Sequence, residues 1–389
     1  MKIHNADAKT IAKRRSCHMH ECLRHVMIVC RWAGFFPVEG LHCADTSQFR
    51  FNLKAYYTLF YVTTLLGQLT LTGVAACSLF GNHITLESVS SFLFFLTSFI
   101  SGVFLLRLAQ YWSKLINKAA DIENRLTDIR LSGYTITKCK ITAYVILILG
   151  LVEHALCLIY NWNLVVSCLD KPLIGDYQVF ESFFLTRMPY VFEYVTYDSW
   201  IGVFLSVVNL QATFLWSFMD VMISCVSIYI ISFFNGLNKI IFSKEEKKKE
   251  DWERIRQNYS CLAEMVKEVD ARMSHCVLLC LFTDLFFICL QLFNTLSSRN
   301  EIDTETCVAD HFNSFHSFLH ILYFFYSFMF VVARVFVLSL LTANINTVAQ
   351  EPISALGEIP ASIYDITVSV LQYLCPNEVP LVFLQQRWH

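Results

Sequence analysis

The sequence is short of charge, proline and glycine. Only 16% of its 389 residues are charged, against about a quarter in ordinary soluble domains, and 55% are hydrophobic. It contains seven prolines and 12 glycines, so long helices can form with few interruptions. This composition argues against a soluble domain and predicts a membrane protein. A net charge of -2 argues against nucleic-acid binding, which calls for a basic face outside the apolar segments.

Signatures of enzymes and metal sites are also missing. The chain contains no HExxH, no GxSxG and no Walker-type glycine loop. Glu153 and His154 are adjacent, so on a helix they point about 100° apart and cannot form a two-ligand metal site from one helix face. We therefore expect no cofactor, no metal and no catalytic residue. The segment Met1 to Arg31 lacks a continuous apolar core, which predicts that the first membrane span, and no signal peptide, directs insertion.

Long apolar runs are what the chain does contain. About 20 residues of helix are needed to cross the hydrocarbon core of a bilayer. Six runs reach that length, about 55–80, 89–110, 141–160, 201–236, 276–296 and 319–341. The run 201–236 would be roughly 54 Å long as a helix, so it should tilt or project into the cytoplasm. The predicted fold class is an all-α, polytopic transmembrane helical bundle spanning 55–341.

Lys and Arg residues fall unevenly beside these runs. Segments 1–54, 113–140 and 237–275 together hold 24 of them, and the three intervening segments hold three. Since cytoplasmic loops are enriched in Lys and Arg, the N-terminal segment 1–54 is predicted to be cytoplasmic. The loop 237–275 and the tail 342–389 then lie on the same side. Arg107 and Arg334 lie toward this side of their spans, and snorkelling is the simplest interpretation of both.

The cytoplasmic loop carries a second regular pattern. Its apolar residues alternate three and four apart, as in the seam of a coiled coil. They are Trp252, Ile255, Tyr259, Leu262, Val266, Val269 and Met273. Two partners remain open for this seam, the cytoplasmic extension of span four of the same chain or a second subunit. Either way the pattern predicts a helical layer below the membrane.

One acidic residue stands in the longest run. Asp220 is the only charge in 201–236 and should lie near the bilayer midplane, where an exposed carboxylate costs about 2.5–3.5 kcal/mol. Trp216 and Thr213 precede it by four and seven residues and so share its helix face. An indole face beside a carboxylate and a hydroxyl suits a polyhydroxylated ligand. The alternative is that Asp220 only closes a buried hydrogen-bond network with a neighbouring helix.

Two amides in span five extend this candidate site. Gln291 and Asn294 are three residues apart in the outer third of the span, and each can donate and accept hydrogen bonds. With Thr213, Trp216 and Asp220 they would form an outward-opening pocket that is apolar with a few convergent polar groups. For each amide, a hydrogen bond between helices is the competing interpretation.

Several stretches resemble the insect gustatory receptor family, and within it the sugar-receptor branch. In chain order they are "GFFPVEG" with "FRFNL", "VEHALC", "TFLWSFMD" with "VSIYI", "FFICLQLFN", and "ILYFFYS" with "ARVFVLSL". The resemblance extends from about Arg31 to about Tyr364. It implies a seven-helix subunit with a cytoplasmic N-terminus, assembled as a homo- or hetero-tetramer with other gustatory receptor subunits into a ligand-gated cation channel, with a sugar pocket in the outer half. It also implies the plasma membrane of a sensory neuron, with lipid and a small sugar as partners.

The end of the chain departs from this family. The family's seventh helix lines the pore, whereas 342–389 contains four prolines and no further apolar run of 20 residues. The sequence therefore predicts six of the seven spans and a chain that conducts no current alone. A non-conducting subunit that modulates full-length receptors is one alternative function. A membrane-embedded transporter or enzyme is another; it would be favoured by paired acids or a metal cluster at one depth, which the sequence does not suggest.

Two cysteines fall in loops predicted to be extracellular. Cys168 and Cys307 lie where oxidation is permitted, and we predict a disulfide between them. Most of the 15 cysteines lie in apolar runs, where a thiol behaves as a small hydrophobe.

Overall fold

The structure is a computed structural model, and it describes residues 18–43, 45–81, 84–129, 131–168, 176–243, 248–297 and 314–356. In these ranges the chain is almost entirely helical. The helices are α1 His18–Trp32, α2 Tyr56–Gly81, α3 Leu86–Arg125, α4 Gly133–Cys168, α5 Asp176–Arg187, α6 Pro189–Phe192, α7 Ser199–Ile241, α8 Lys249–Ser297 and α9 Ser314–Leu356. Two short strands, β1 Val38–Glu39 and β2 Arg50–Phe51, pair antiparallel between α1 and α2.

Six of these helices are long and apolar enough to cross a membrane. They are α2, α3, α4, α7, α8 and α9, and they contain the six apolar runs of the sequence. Helices α3, α7, α8 and α9 have 40, 43, 49 and 43 residues, so they extend well beyond a bilayer. Helix α9 continues to Leu356 and includes Pro352, four residues before its end.

Helix α7 is the central helix of the bundle. Of its most apolar 18 residues 89% are buried inside the chain, against 22–44% in the other five membrane helices. Asp198 caps its first turn by accepting a hydrogen bond from the backbone nitrogen of Trp200 at 3.0 Å. The other helices bury one face and leave apolar side chains exposed on the other, for example Ile141, Val145 and Ile148 of α4. Such exposed apolar faces are expected where helices face lipid.

The seam from Trp252 to Met273 is buried within this chain. All seven of its residues are 7% exposed or less and belong to the main hydrophobic core. The ring of Tyr259 lies 6.0 Å from that of Phe234 on α7, and its hydroxyl donates to the carbonyl of Ala349 on α9 at 3.2 Å. Of the two partners left open by the sequence, the seam therefore packs on its own chain.

The segment between α1 and α2 folds back on the membrane helices. Gly34 has a φ of +94°, a conformation that side chains with a Cβ rarely adopt. A Cβ there would lie 2.8 Å from Thr64 Oγ1 and 2.9 Å from Gln211 Nε2. The first glycine of "GFFPVEG" therefore allows the chain to turn directly against α2 and α7.

Candidate functional site

The carboxylate of Asp220 is held by an arginine from another helix. Arg334 on α9 donates from Nε to Asp220 Oδ2 at 2.6 Å, and its Nη2 lies 2.5 Å from the same oxygen. Asp284 on α8 also approaches the guanidinium, with Oδ1 3.5 Å from Nη2. All three side chains are 2% exposed or less. Two acids and one base thus join α7, α8 and α9 in the bundle interior.

Trp216 is the fourth member of this cluster. Its indole Nε1 donates to Asp284 Oδ1 at 2.8 Å, while the guanidinium carbon of Arg334 lies 4.3 Å from the centre of the indole ring. Arg334 Nη2 also donates to the carbonyl of Trp216 at 3.1 Å. On α8 the ring of Phe287 lies 4.9 Å from the indole. The cation–π contact and the hydrogen bonds fix the indole beside both acids.

Two expectations from the sequence change at this cluster. Arg334 does not snorkel; its guanidinium is fully buried between two carboxylates, because pairing inside the bundle satisfies its charge without reaching water. The sequence was also expected to hold no paired acids at one depth, yet Asp220 and Asp284 share one arginine. Asp284 was missed although it lies seven residues before Gln291 and therefore on nearly the same helix face.

Gln291 takes part in a second polar group, nearer the predicted outer side. Its Nε2 donates to Ser327 Oγ on α9 at 2.7 Å, and Ser327 Oγ donates to Glu153 Oε1 on α4 at 3.0 Å. The hydroxyl oxygen of Thr213 lies 3.3 Å from Nδ1 of His154, the residue after Glu153. Polar contacts at this level therefore join α4 to α8 and α9 through Glu153 and to α7 through the next residue, His154.

The two polar groups are related by helix register. Thr213 and Asp220, Asp284 and Gln291, and Ser327 and Arg334 are each seven residues apart. Seven residues are two helical turns, so an outer and an inner polar layer lie about 10 Å apart. An aromatic residue stands between the layers on each helix, and these are Trp216, Phe287 and Phe330. The site is thus two polar layers separated by an aromatic layer.

Two cavities of different size lie beside these layers. Beside Trp216 a small cavity of about 10 Å³, enough for roughly one water molecule, is lined partly by the hydroxyls of Thr97, Ser98 and Thr283. Beside Thr213 and His154 a larger cavity of about 370 Å³ lies between α2, α4 and α7. Its size is within the range of small-molecule pockets.

Three buried polar atoms of the inner layer make no hydrogen bond with the described residues. They are Asp220 Oδ1, Asp284 Oδ2 and Arg334 Nη1. Buried polar atoms nearly always have a partner, so these three indicate that water or a ligand hydroxyl completes the cluster.

The structure brings four of the five sequence-predicted site residues into these layers. Thr213, Trp216 and Asp220 lie along one face of α7, and Gln291 lies in the outer layer. The side chain of Asn294 lies outside the described residues, as do the side chains of Cys168 and Cys307, so the predicted disulfide stays a prediction.

Comparison with known proteins places the chain in a family. The model of the trehalose receptor family matches residues 7–379. The chain belongs to this family. Two relatives from Drosophila melanogaster are gustatory receptor 5a for trehalose, 26% identical over 89% of this chain and 74% of the relative, and gustatory receptor for sugar taste 64b, 24% identical over 90% and 84%.

The fold of the receptor is shared with a solved insect chemoreceptor. The olfactory receptor OR5 from Machilis hrabei superimposes with a TM-score of 0.66 at 14% identity, over 94% of this chain and 90% of that one. Together the matches confirm the predicted insect gustatory receptor family, sugar branch, and the all-α chemoreceptor fold. They also confirm that the chain is a receptor of a family that is not enzymatic, and that it is a multi-pass membrane protein of sensory neurons.

Proposed function

We propose that this receptor is a sugar-responsive subunit of a ligand-gated cation channel in the plasma membrane that mediates taste detection. We propose further that it assembles as a tetramer, with copies of itself or with other gustatory receptor subunits. Relatives named for trehalose and for sugar taste support the ligand class. The observation that carries the proposal is the aromatic layer between two polar layers.

A sugar has two kinds of surface, and the layers match both. Hydroxyls donate and accept hydrogen bonds, which Gln291 and Thr213 can do in the outer layer. The C–H faces of a sugar ring pack on aromatic rings, and Trp216 with Phe287 offers such a surface. Asp220 Oδ1, which has no partner among the described residues, would then accept a hydrogen bond from a sugar hydroxyl.

The described conformation leaves too little space beside Trp216 for a sugar. We therefore propose that the ligand enters from the predicted outer side and that binding separates the aromatic layer from the outer polar layer. The bond between Gln291 and Ser327 would be exchanged for bonds to sugar hydroxyls. A ligand that binds one arrangement more tightly than the other shifts the equilibrium between them.

The binding step is tested on the purified chain by thermal unfolding with trehalose or sucrose. At ten times its Kd a ligand stabilises the native state by about 1.4 kcal/mol. Trp216→Leu and Gln291→Leu should remove this shift. Trp200→Leu, at a tryptophan that is 79% exposed at the other end of the same helix, and Gln257→Leu, at an exposed amide, are matched controls.

These controls separate binding from the general effect of sugars on proteins. Excluded sugars stabilise any compact protein, so an equal shift in all five proteins, the wild type and the four variants, would contradict a specific site. The channel step is tested by recording cation currents from cells expressing the chain alone or with another gustatory receptor. Absence of a sugar-evoked current in every combination would contradict the channel assignment.

A further inference from the structure

A groove lies between α3 and α8, away from the polar layers. It has a volume of about 470 Å³. The residues that define this groove are Phe104, Arg107, Tyr111, Ala271, Arg272 and His275.

The groove carries more positive than negative charge among the described residues. Arg107 is exposed and makes no hydrogen bond or ion pair with any described residue. Arg272 stacks on the ring of Tyr111, with its guanidinium carbon 4.6 Å from the ring centre, and Lys114 lies over the same ring at 5.7 Å.

The acids nearest the groove have other cationic partners. Glu268 is 3.6 Å from Arg272 but 2.8 Å from Lys118, and Glu264 is 2.6 Å from Arg125. His275 interacts electrostatically with Asp270, so its imidazole does not add to the positive charge of the groove. Arg107, Arg272 and the neighbouring Lys114 remain as cations, and among the described residues Glu268, which is shared with Lys118, is the one acid in ion-pair distance of them.

The groove lies where the membrane helices leave the hydrocarbon. Arg107 is three residues from the cytoplasmic end of the apolar run 89–110, and His275 directly precedes the run 276–296. Above His275 on α8, Leu278, Phe282 and Leu285 are 53–54% exposed at spacings of three and four residues. One apolar helix face therefore continues from the charged groove into the bilayer.

We propose that this groove binds the phosphate head group of an anionic glycerophospholipid from the cytoplasmic leaflet. Arginine donates several hydrogen bonds in a plane and pairs well with phosphate oxygens. The acyl chains would lie along Phe104 of α3 and the exposed face of α8. A free phosphate would use the same arginines but would leave that apolar face uncovered, which is why we assign the site to a lipid. This site does not depend on the proposed sugar response.

The experiment is native mass spectrometry of the full 389-residue chain in an uncharged detergent. The chain is titrated separately with dioleoyl phosphatidylserine, dioleoyl phosphatidylcholine and inorganic phosphate. Phosphatidylserine should bind more tightly than the other two. Arg107→Gln should weaken its binding about fivefold, and adding Arg272→Gln should weaken it about fivefold again, as expected for an arginine near an anionic lipid surface.

The control is Arg50→Gln, at an exposed arginine of β2 on the same side of the membrane. Arg107 makes no hydrogen bond or ion pair with any described residue, so Arg107→Gln should fold even if the double variant does not. Equal binding of the two lipids, an equal loss in Arg50→Gln, or phosphate binding as tightly as phosphatidylserine would each overturn the proposal. A lipid-independent loss of oligomers in Arg107→Gln would instead assign the groove to contact between copies and would also overturn it.

Discussion

Arg334 places two of its nitrogens, Nε and Nη2, within 2.6 Å of one oxygen of Asp220. The second oxygen of Asp220 has no partner among the described residues. One oxygen of Asp220 therefore holds the bundle together through Arg334, and the other oxygen is available to a further hydrogen-bond donor. Its two possible roles can be separated by experiment.

Asp220→Asn should weaken sugar responses while leaving surface expression near normal. The asparagine keeps the shape of the side chain, and Arg334 retains Asp284 at 3.5 Å, so the bundle should hold. Responses and surface labelling are measured together in a cell that gives sugar-evoked currents with the wild-type chain. Lost expression with unchanged sensitivity in the surviving protein would assign Asp220 a structural role alone.

Arg334→Leu should be far more harmful than Asp284→Asn. Leucine leaves two buried carboxylates without a cation, and breaking a buried ion pair in this way costs about 3–5 kcal/mol. In Asp284→Asn the acid Asp220 remains paired with the base Arg334. The indole of Trp216 keeps an oxygen acceptor on the asparagine, which has lost only its charge. Thermal unfolding of the purified variants measures the difference, with Arg50→Leu as the exposed control. Equal losses for the two buried variants would show that the cluster does not act as a charge-paired unit.

Acid should destabilise the cytoplasmic end of the protein through His20. Its ring is 1% exposed and 4.5 Å from that of Phe49. Burial first, and the charge of Arg24 second, lower the pKa of His20 from 6.5 to about 4. Below pH 6.5 the unfolded chain binds a proton that the native chain refuses until about pH 4, so stability falls across this window.

At pH 5 this difference amounts to about 2 kcal/mol, and it vanishes above pH 7. His20→Leu should flatten the dependence of unfolding temperature on pH between 5 and 7. Arg50→Leu, at an exposed residue of the same segment that does not titrate in this range, should leave the slope in place. A slope that survives in His20→Leu would assign the effect to other groups.

Asn258 should carry no glycan although "NYS" fits the acceptor pattern. The charge distribution places it in the cytoplasm, and its side chain is only 3% exposed. Its Oδ1 accepts from the backbone nitrogen of Thr127 at 3.0 Å and its Nδ2 donates to the carbonyl of the same residue at 2.9 Å. Glycosidase treatment of the protein from cells should leave its mobility unchanged, and a shift that Asn258→Gln abolishes would reverse the predicted orientation.

Length and composition were enough to predict the helical class, since membrane spans are a local property of the sequence. Helix spacing also placed Thr213, Trp216 and Asp220 on one face. The partners of that face could not be predicted in this way. Whether Arg334 meets Asp220 depends on the depth and rotation of α9 against α7, and these are set by packing along both helices.

The seam from Trp252 to Met273 illustrates the same limit. Its period gave the helix and its buried face, but the same period fits a partner from another subunit equally well. The contacts of Tyr259 with α7 and α9 decide between them.

Helix α9 runs without a break from the ion cluster at Arg334 to its contacts with the seam from Trp252 to Met273. Val348 lies 14 residues, or about 21 Å, beyond Arg334, and its carbonyl accepts a hydrogen bond from Asn238 of α7 at 2.8 Å. A regular helix keeps its internal hydrogen bonds only if its turns move together. A displacement of Arg334 along the axis of α9 would therefore also shift the contacts that α9 makes with Asn238 and Tyr259.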